Sequence, residues 1–326
     1  MMNNSEKEKQ NSKKRKILIP VDFSDYSQRA CKTGIEYASR IGAEVMLLHV
    51  CFITHVPSSF PYIVYEMGVK MDDEESTRLL RNRVGEEIDK LCTIINRQMD
   101  SGELPRVAYN CTIREGIPEK EIAAYIEEYH PTLIIMGTRE KTQKNTDMIG
   151  SVTGEVIEVT KYPLLAIPEN VAYPDLQQIT HVGFATSFDQ RDLFVFKKYL
   201  EILQDYDFNI HLFNISTSKN EWNEIRLIGF CEYLKKQYPS KSIDFTVLND
   251  GDLFEAIEVF VKEKQIDLLT FGKYKRNPNT RISNQSVTNE IDHLVETLRE
   301  FKRVFNPSIA RRMLFYTNVP LLVIPV

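Results

Sequence analysis

Residues 114–138 read REGIPEKEIAAYIEEYHPTLIIMGT, and residues 248–273 read LNDGDLFEAIEVFVKEKQIDLLTFGK. Each stretch passes from a glycine through a helical pattern of about a dozen residues into a short apolar run that ends on a second glycine. Gly116 and Gly137 of the first stretch keep one common offset from the two glycines of the second. This recurrence predicts an internal duplication in which each copy contributes the helix and strand of a βαβ unit.

Outward from these stretches, short apolar runs alternate with helical patterns in the same order in both halves of the chain. Such alternation predicts an α/β fold with a doubly wound parallel sheet in each half. The predicted strands are residues 16–21, 43–50, 107–113, 132–137, 163–168, 180–185, 208–215, 242–248, 266–272 and 319–326. The predicted helices are residues 24–41, 72–99, 117–129, 151–160, 189–204, 221–237 and 253–264.

The length of 326 residues favours two domains of ordinary size. We predict a disordered tail at residues 1–15, a first domain at 16–168, a linker at 169–179 and a second domain at 180–326. The second domain carries an insertion at 273–305, whose last part has the apolar spacing of an amphipathic helix. A surface insertion that covers a sheet edge and a lid over a ligand pocket both fit this segment.

The charge and hydropathy of the chain argue against several classes of partner. A formal net charge of −5 is unfavourable for a general nucleic-acid binder, which needs clustered Lys and Arg. The longest apolar runs fall far short of the roughly 20 residues that span a bilayer, and the N-terminus lacks the pattern of a signal peptide. We therefore expect a cytoplasmic protein that binds neither nucleic acid nor membranes.

The cysteines and histidines show no spacing typical of a metal site or a disulfide framework. The five cysteines contain no CxxC pair, which fits a reducing compartment. The six histidines have no metal-ligand spacing, and we expect them to be isolated core or surface residues. No metal ligands are predicted.

The candidate ligand site lies where predicted strands of the first half end. Ligands of open parallel sheets bind beyond the carboxyl ends of the strands. The start of the last helix offers unpaired N–H groups to an anion, and Asp22 could accept hydrogen bonds from a nucleoside. Asp22 and Ser24 could equally well organise only the start of the following helix. The candidate residues are Pro20, Val21, Asp22, Val50, Met136, Gly137, Thr138, Gly150, Ser151, Val152 and Thr153.

Several of these segments together resemble the universal stress protein family. They are KILIPVDFS at the first strand, LLHV at the end of the second, MGTRE followed after nine residues by GSVT, and PLLAIP at the last strand. The resemblance implies a five-stranded parallel sheet of order 3-2-1-4-5, similar to the adenine nucleotide α-hydrolase-like and Rossmann-like folds. It also implies that PLLAIP and PLLVIPV pair, so that the two domains form a pseudo-dimer; a homodimer of the whole chain is compatible with the sequence.

The resemblance further implies that the first domain binds ATP, with Mg²⁺ or Mn²⁺, and has no dedicated catalytic machinery. Asp22 and Val50 would lie at the adenosine, and Gly137 with the segment 150–153 would surround the ribose and phosphates. The chain departs from the family pattern at Glu140, which stands where the family has its second glycine. A carboxylate about 4 Å from a phosphate costs roughly 1–4 kcal/mol, or about a fivefold to thousandfold loss of affinity.

The second half has lost more of the pattern. Ser187 stands opposite Asp22, and Pro307, which has no N–H group, replaces Gly150. We expect this half to be a pairing partner or regulatory half. Two alternatives to a non-catalytic nucleotide-binding stress protein stay open. One is a scaffold or regulatory protein that acts through protein partners, and the other is a weak ATPase or phosphotransferase that would use Asp22 and Glu140.

Overall fold

A computed structural model describes most of the sheet and the helices that cover it. The described residues are 14–52, 74–138, 152–169, 179–186, 191–216, 221–249, 253–274, 313 and 318–326. Several predictions therefore lie outside the described residues. They concern most of the N-terminal tail and the linker, the insertion beyond Tyr274 with its amphipathic helix, and Glu140, Gly150, Ser151, Ser187 and Pro307.

Strands and helices alternate along the described chain as the sequence predicts, and the ends differ from the predicted ones by at most two residues. The strands are β1 (Lys16–Pro20), β2 (Glu44–Cys51), β3 (Tyr109–Glu115), β4 (Leu133–Thr138), β5 (Leu164–Pro168), β6 (His181–Ala185), β7 (Asn209–Ser216), β8 (Ile243–Asn249), β9 (Leu268–Lys273) and β10 (Leu321–Pro325). The helices are α1 (Asp25–Ile41), α2 (Glu74–Ser101), α3 (Pro118–Tyr129), α4 (Val152–Val159), α5 (Arg191–Ile202), α6 (Glu221–Gln237) and α7 (Leu253–Glu263).

The chain divides into two compact units, residues 1–136 and 137–326. The division falls inside β4, and β5 belongs to the second unit because it pairs with β10. The domain boundaries drawn from the repeat, 16–168 and 180–326, remain a prediction. No helix in the described part of the chain is long and apolar enough to cross a membrane.

In the first unit the strand order is β3-β2-β1-β4, and all these strands are parallel. The central side chains of β1 are buried on both faces of the sheet, as its unbroken apolar run predicts. Helix α1 lies close against this strand because Gly34 has no side chain. A Cβ atom at Gly34 would come within 2.3 Å of Ile19 Cδ1.

Helix α1 begins and ends at residues that satisfy its free backbone groups. Ser24 is the N-cap, as predicted, and its Oγ accepts a hydrogen bond from the Ser27 N–H at 3.3 Å. At the other end Gly42 has a φ of +65° and donates its N–H back to the last turn. The start of this helix fixes the turn that follows β1, where the candidate site begins.

In the second unit the order is β5-β10-β9-β6-β7-β8. Strands β8, β7, β6, β9 and β10 reproduce the predicted order 3-2-1-4-5, and each neighbouring pair among them is parallel. Strand β5 joins β10 in antiparallel register, with Leu322 opposite Leu165. This register confirms the predicted pairing of PLLAIP with PLLVIPV.

The pairing of β5 with β10 accompanies an unusual buried lysine at the end of β9. Lys273 is 5% exposed, and its Nζ donates to the carbonyl oxygens of Ile157 at 2.7 Å, Glu158 at 3.0 Å and Thr160 at 2.6 Å. These carbonyls end helix α4, where the helix dipole favours a cation. The ammonium group therefore satisfies a buried helix terminus within the second unit.

We expect Lys273→Met to lower the free energy of unfolding by about 2–4 kcal/mol, because it leaves three carbonyl oxygens of a buried helix end without their donor. Urea unfolding followed by circular dichroism would measure this loss. Lys262→Met is the matched control, since Lys262 is exposed and its pairing with Glu258 is worth about 0.3–0.5 kcal/mol. Equal losses in the two variants would contradict the proposed role of Lys273.

Candidate functional site

The turn between β1 and α1 holds Asp22, the carboxylate of the predicted site. Asp22 is exposed, and its Oδ1 accepts from the Ser24 N–H at 3.1 Å and from the Ser24 hydroxyl. Its Oδ2 accepts from the Tyr26 hydroxyl at 2.9 Å. The alternative that Asp22 helps to organise the start of the helix is thus correct in part. Carboxylate oxygens have about four lone-pair sites in all, which leaves acceptor capacity for a ligand.

The surroundings of Asp22 favour its charged form. Partial desolvation raises the pKa of this carboxyl group, but hydrogen bonds from Ser24, Ser27 and Tyr26 outweigh that effect and hold the pKa below its ordinary value. Asp22 is therefore ionised at neutral pH. An ionised carboxylate at this place can accept hydrogen bonds from hydroxyl or amino groups.

Next to Asp22, the end of β2 holds the β1–α1 turn in place. The Val21 N–H donates to Leu48 O at 2.8 Å, and His49 Nδ1 donates to Val21 O at 2.7 Å. The buried His49 ring stacks on Phe23 at 4.4 Å between ring centroids. Phe23 has a φ of +66°, which is rare for a bulky residue. The sequence prediction did not include His49 or Phe23 among the site residues, although both adjoin a predicted one.

The other predicted residues of the first unit follow the strands as expected. Pro20 is the last residue of β1, and Val50 is half-buried near the end of β2. Met136 is buried in β4. Each of the three residues lies in the last part of its strand and contributes an apolar side chain there.

The second unit contains the remaining described part of the predicted site. Gly137 and Thr138 end β4, and Val152 and Thr153 begin α4. The buried Thr153 hydroxyl donates to Gly137 O at 2.9 Å, so its proton is already in use. The Thr138 hydroxyl oxygen is also buried, and it has no hydrogen-bond partner among the described residues. Gly150 and Ser151 lie outside those residues.

The corresponding strand end in the second half has the same backbone frame. Thr186, which aligns with Val21, donates its N–H to Phe213 O at 2.9 Å. Asn214 Nδ2 donates to Thr186 O at 2.7 Å, as His49 does to Val21 O. A polar side chain at the end of the second strand therefore braces the first strand in both halves.

The side chains around this second strand end are different. The fully buried Asp192 carboxylate accepts from the Thr186 hydroxyl at 2.8 Å and from the Tyr274 hydroxyl. The Tyr274 ring lies against Gly272, where a Cβ atom would come within 2.7 Å of the Tyr274 hydroxyl oxygen. Lys273 aligns with Thr138 and caps α4. The space beside Gly272 is therefore filled by protein.

Two histidines of the second half are not isolated, which corrects the sequence prediction. His181 Nδ1 and His211 Nε2 are 2.9 Å apart and share a hydrogen bond, and His211 Nδ1 donates to Asp244 Oδ1 at 2.5 Å. Neighbouring strands β6, β7 and β8 bring these side chains together, and sequence spacing does not reveal such contacts. Within the described ranges no group of three or more His, Cys, Asp or Glu residues could hold a metal ion.

Comparison with known proteins gives a consistent result. Residues 14–168 match the model of the universal stress protein family. The chain is similar to universal stress protein MJ0577 of Methanocaldococcus jannaschii, with 29% identity over 157 residues, 47% of this chain and 94% of that protein. Similarity to universal stress protein YxiE of Bacillus subtilis is 28% over 153 residues, 47% of this chain and 97% of that protein.

A solved universal stress protein from Archaeoglobus fulgidus is similar in fold over nearly the whole chain. The TM-score is 0.64 at 16% sequence identity, with 95% of this chain and 96% of that chain covered. At this identity the similarity concerns the fold alone. It includes the second half of the chain as well as the first.

We expect Asp22→Asn to lower the free energy of unfolding by about 1 kcal/mol at neutral pH, since the hydrogen bonds to Asp22 favour the charged form. The folded pKa lies below the unfolded value, so this contribution is present above about pH 4 and is lost as pH falls through the folded pKa. Urea unfolding of both proteins between neutral and acidic pH would measure the difference. Asp89→Asn, on the exposed face of α2, is the control. A difference that stays constant with pH would contradict the assignment.

Proposed function

Because residues 14–168 of this chain belong to the universal stress protein family, we propose that the protein is a non-catalytic stress-response protein whose first domain binds an adenine nucleotide. ATP with Mg²⁺ or Mn²⁺ is the proposed ligand. Asp22 and Val50 would contact the adenosine, and Gly137, Thr138 and the start of α4 would contact the ribose and phosphates. We place the protein in the cytoplasm as part of this proposal.

The observation that carries the proposal is the contrast between Thr138 and the residue aligned with it, Lys273. The Thr138 hydroxyl is buried without a hydrogen-bond partner in the described residues, whereas Lys273 donates to three carbonyl oxygens. A buried polar group without a partner costs about 1–3 kcal/mol, which a ligand oxygen or hydroxyl would recover. Among the described residues, the first domain thus has a buried hydroxyl without a partner at the position where the second domain has a side chain with three hydrogen bonds.

The Asp22 end supports recognition of a nucleoside. The carboxylate is ionised, exposed and held by hydrogen bonds from Ser24 and Tyr26. Groups that are held in place before a ligand arrives lose little conformational entropy when it binds. Charge-assisted hydrogen bonds to ribose hydroxyls or an amino group would be stronger than neutral ones.

The start of α4 supports phosphate binding through its backbone. A helix N-terminus presents unpaired N–H groups and a favourable field for an anion. Since the Thr153 hydroxyl donates to Gly137 O, we assign phosphate contacts to the N–H groups near Val152 and Thr153. The Thr153 hydroxyl would position the strand end relative to its helix.

The second domain would not bind nucleotide. Tyr274 covers Gly272, and the buried Asp192 carboxylate adds a negative charge at the equivalent strand end. A phosphate group there would have to displace an aromatic ring and approach a like charge. We assign this domain the role of pairing partner, for which the β5–β10 contact is the supporting observation. A homodimer of the whole chain remains part of the proposal.

We expect Thr138→Val to weaken ATP binding by about tenfold, because the variant removes one hydrogen bond to the ligand. Its stability should be unchanged or higher, since a buried hydroxyl that no described residue pairs with becomes a methyl group. Isothermal titration with Mg²⁺ present would measure binding. Thr270→Val is the matched control, because the Thr270 hydroxyl in β9 is likewise buried with no partner in the described part of the chain and lies in the second domain. Unchanged affinity in Thr138→Val would remove Thr138 from the site.

We expect Glu140→Gly to tighten ATP binding by a factor between about five and a thousand, because the variant restores the second glycine of the family pattern and removes a carboxylate that would repel a phosphate. Titrations at low and high salt would test the electrostatic origin, since salt screens the repulsion in the wild type. Glu128→Gln, on α3 in the same domain, controls for a change in net charge. If neither wild type nor Glu140→Gly binds ATP in folded form, the scaffold alternative replaces the nucleotide proposal.

A further inference from the structure

Two cysteines that lie apart in sequence face each other in the first unit. Cys92 is on helix α2 and Cys111 is on strand β3, and their sulfur atoms are 3.1 Å apart. The sulfur–sulfur distance in a disulfide is about 2.0 Å, so an approach of about 1 Å would bond them. Both residues are partly exposed, and both are free thiols in this structure.

The elements that carry the two thiols hold them in this arrangement. On α2 the apolar side chains of Leu91 and Ile95 are buried on either side of Cys92. Strand β3 pairs with β2, where Cys111 lies opposite Leu47. The Tyr109 hydroxyl donates to Asn96 Oδ1 at 2.8 Å and lies 3.3 Å from Cys92 O, and these contacts tie β3 to α2 next to the thiols. The pair is therefore fixed by packing and hydrogen bonds on both sides.

We propose that Cys92 and Cys111 form a reversible intramolecular disulfide when the protein meets a peroxide. In the first step one thiolate sulfur attacks a peroxide oxygen, the O–O bond breaks, and a sulfenic acid and hydroxide form. In the second step the other sulfur attacks the sulfenic sulfur, the S–O bond breaks and water leaves. Two thiols are oxidised and one peroxide is reduced to water; a dithiol reductant reverses the change.

Either sulfur of the pair can take the first step, because both are partly exposed and each lies within reach of the other. Cys31, the third cysteine of this region, is excluded as the partner. Burial raises the pKa of Cys31 to about 12, and its 2% exposure keeps it from reagents in solution.

The bond would join α2 to β3 and close the chain between residues 92 and 111. Cross-linking of this kind restricts the unfolded chain more than the folded one. Oxidation would therefore stabilise the edge of the first unit. The inference does not depend on nucleotide binding.

The test uses the full-length reduced protein, treated with hydrogen peroxide and then alkylated and digested with trypsin under non-reducing conditions. Peptides 91–97 and 107–114 should appear as one linked species, two hydrogen masses lighter than their sum. Denatured protein should show three titratable thiols in place of the five in the sequence. Dithiothreitol should restore all five.

Single variants trap the first step. In Cys111→Ser and in Cys92→Ser the remaining sulfur has no partner, so peroxide should leave on it a sulfenic acid that dimedone labels. Cys231→Ser is the matched control, since Cys231 is buried on α6 and should not affect the linked peptide. The oxidised wild type should unfold at higher urea concentration than the reduced form, and Cys111→Ser should show no such shift.

The mapping of wild type decides the proposal even if a variant fails to fold. Peptides 91–97 and 107–114 that remain separate after peroxide treatment of folded protein would overturn it. Linkage of either peptide to the one containing Cys31 would also overturn it, as would conversion of Cys92 to a sulfinic acid without any linkage.

Discussion

A parallel strand buried on both faces must find backbone partners along both of its edges, because water cannot reach its N–H and C=O groups. Strand β1 meets this condition between β2 and β4, and β6 meets it between β7 and β9. Within each group of three parallel neighbours, the carboxyl ends of the strands lie side by side. Asp22 lies in the turn that follows β1, so this arrangement places its carboxylate at the carboxyl end of the strands of the first unit.

The same constraint acts on the last strand of each half. Strand β10 has β9 on one edge, and its other edge pairs with β5 in antiparallel register. An apolar closing strand without that partner would expose a free sheet edge. Near this pairing, the buried ammonium group of Lys273 donates hydrogen bonds to carbonyl oxygens at the end of α4. Thr138 and Lys273 are aligned, and each is the last residue of its strand. Lys273 has a structural role at this position.

The two halves share a backbone frame and differ in what fills it. His49 and Asn214 brace their neighbouring strands through equivalent hydrogen bonds. The first half has an exposed carboxylate, Asp22, and also a buried hydroxyl, Thr138, for which the described residues offer no hydrogen-bond partner. The second half closes the equivalent place with Tyr274 on Asp192.

The strands, the helices and the Ser24 cap could be predicted from local sequence, because apolar period and short turn signals act over a few residues. The strand order and the pairing of the closing strands were predicted from the family resemblance of the quoted motifs. Only the tertiary structure decided which side chains meet across elements. Those contacts include Tyr274 with Asp192, His181 with His211, and Cys92 with Cys111. They depend on the register of neighbouring strands and on how a helix lies over a sheet, and neither leaves a fixed spacing in the chain.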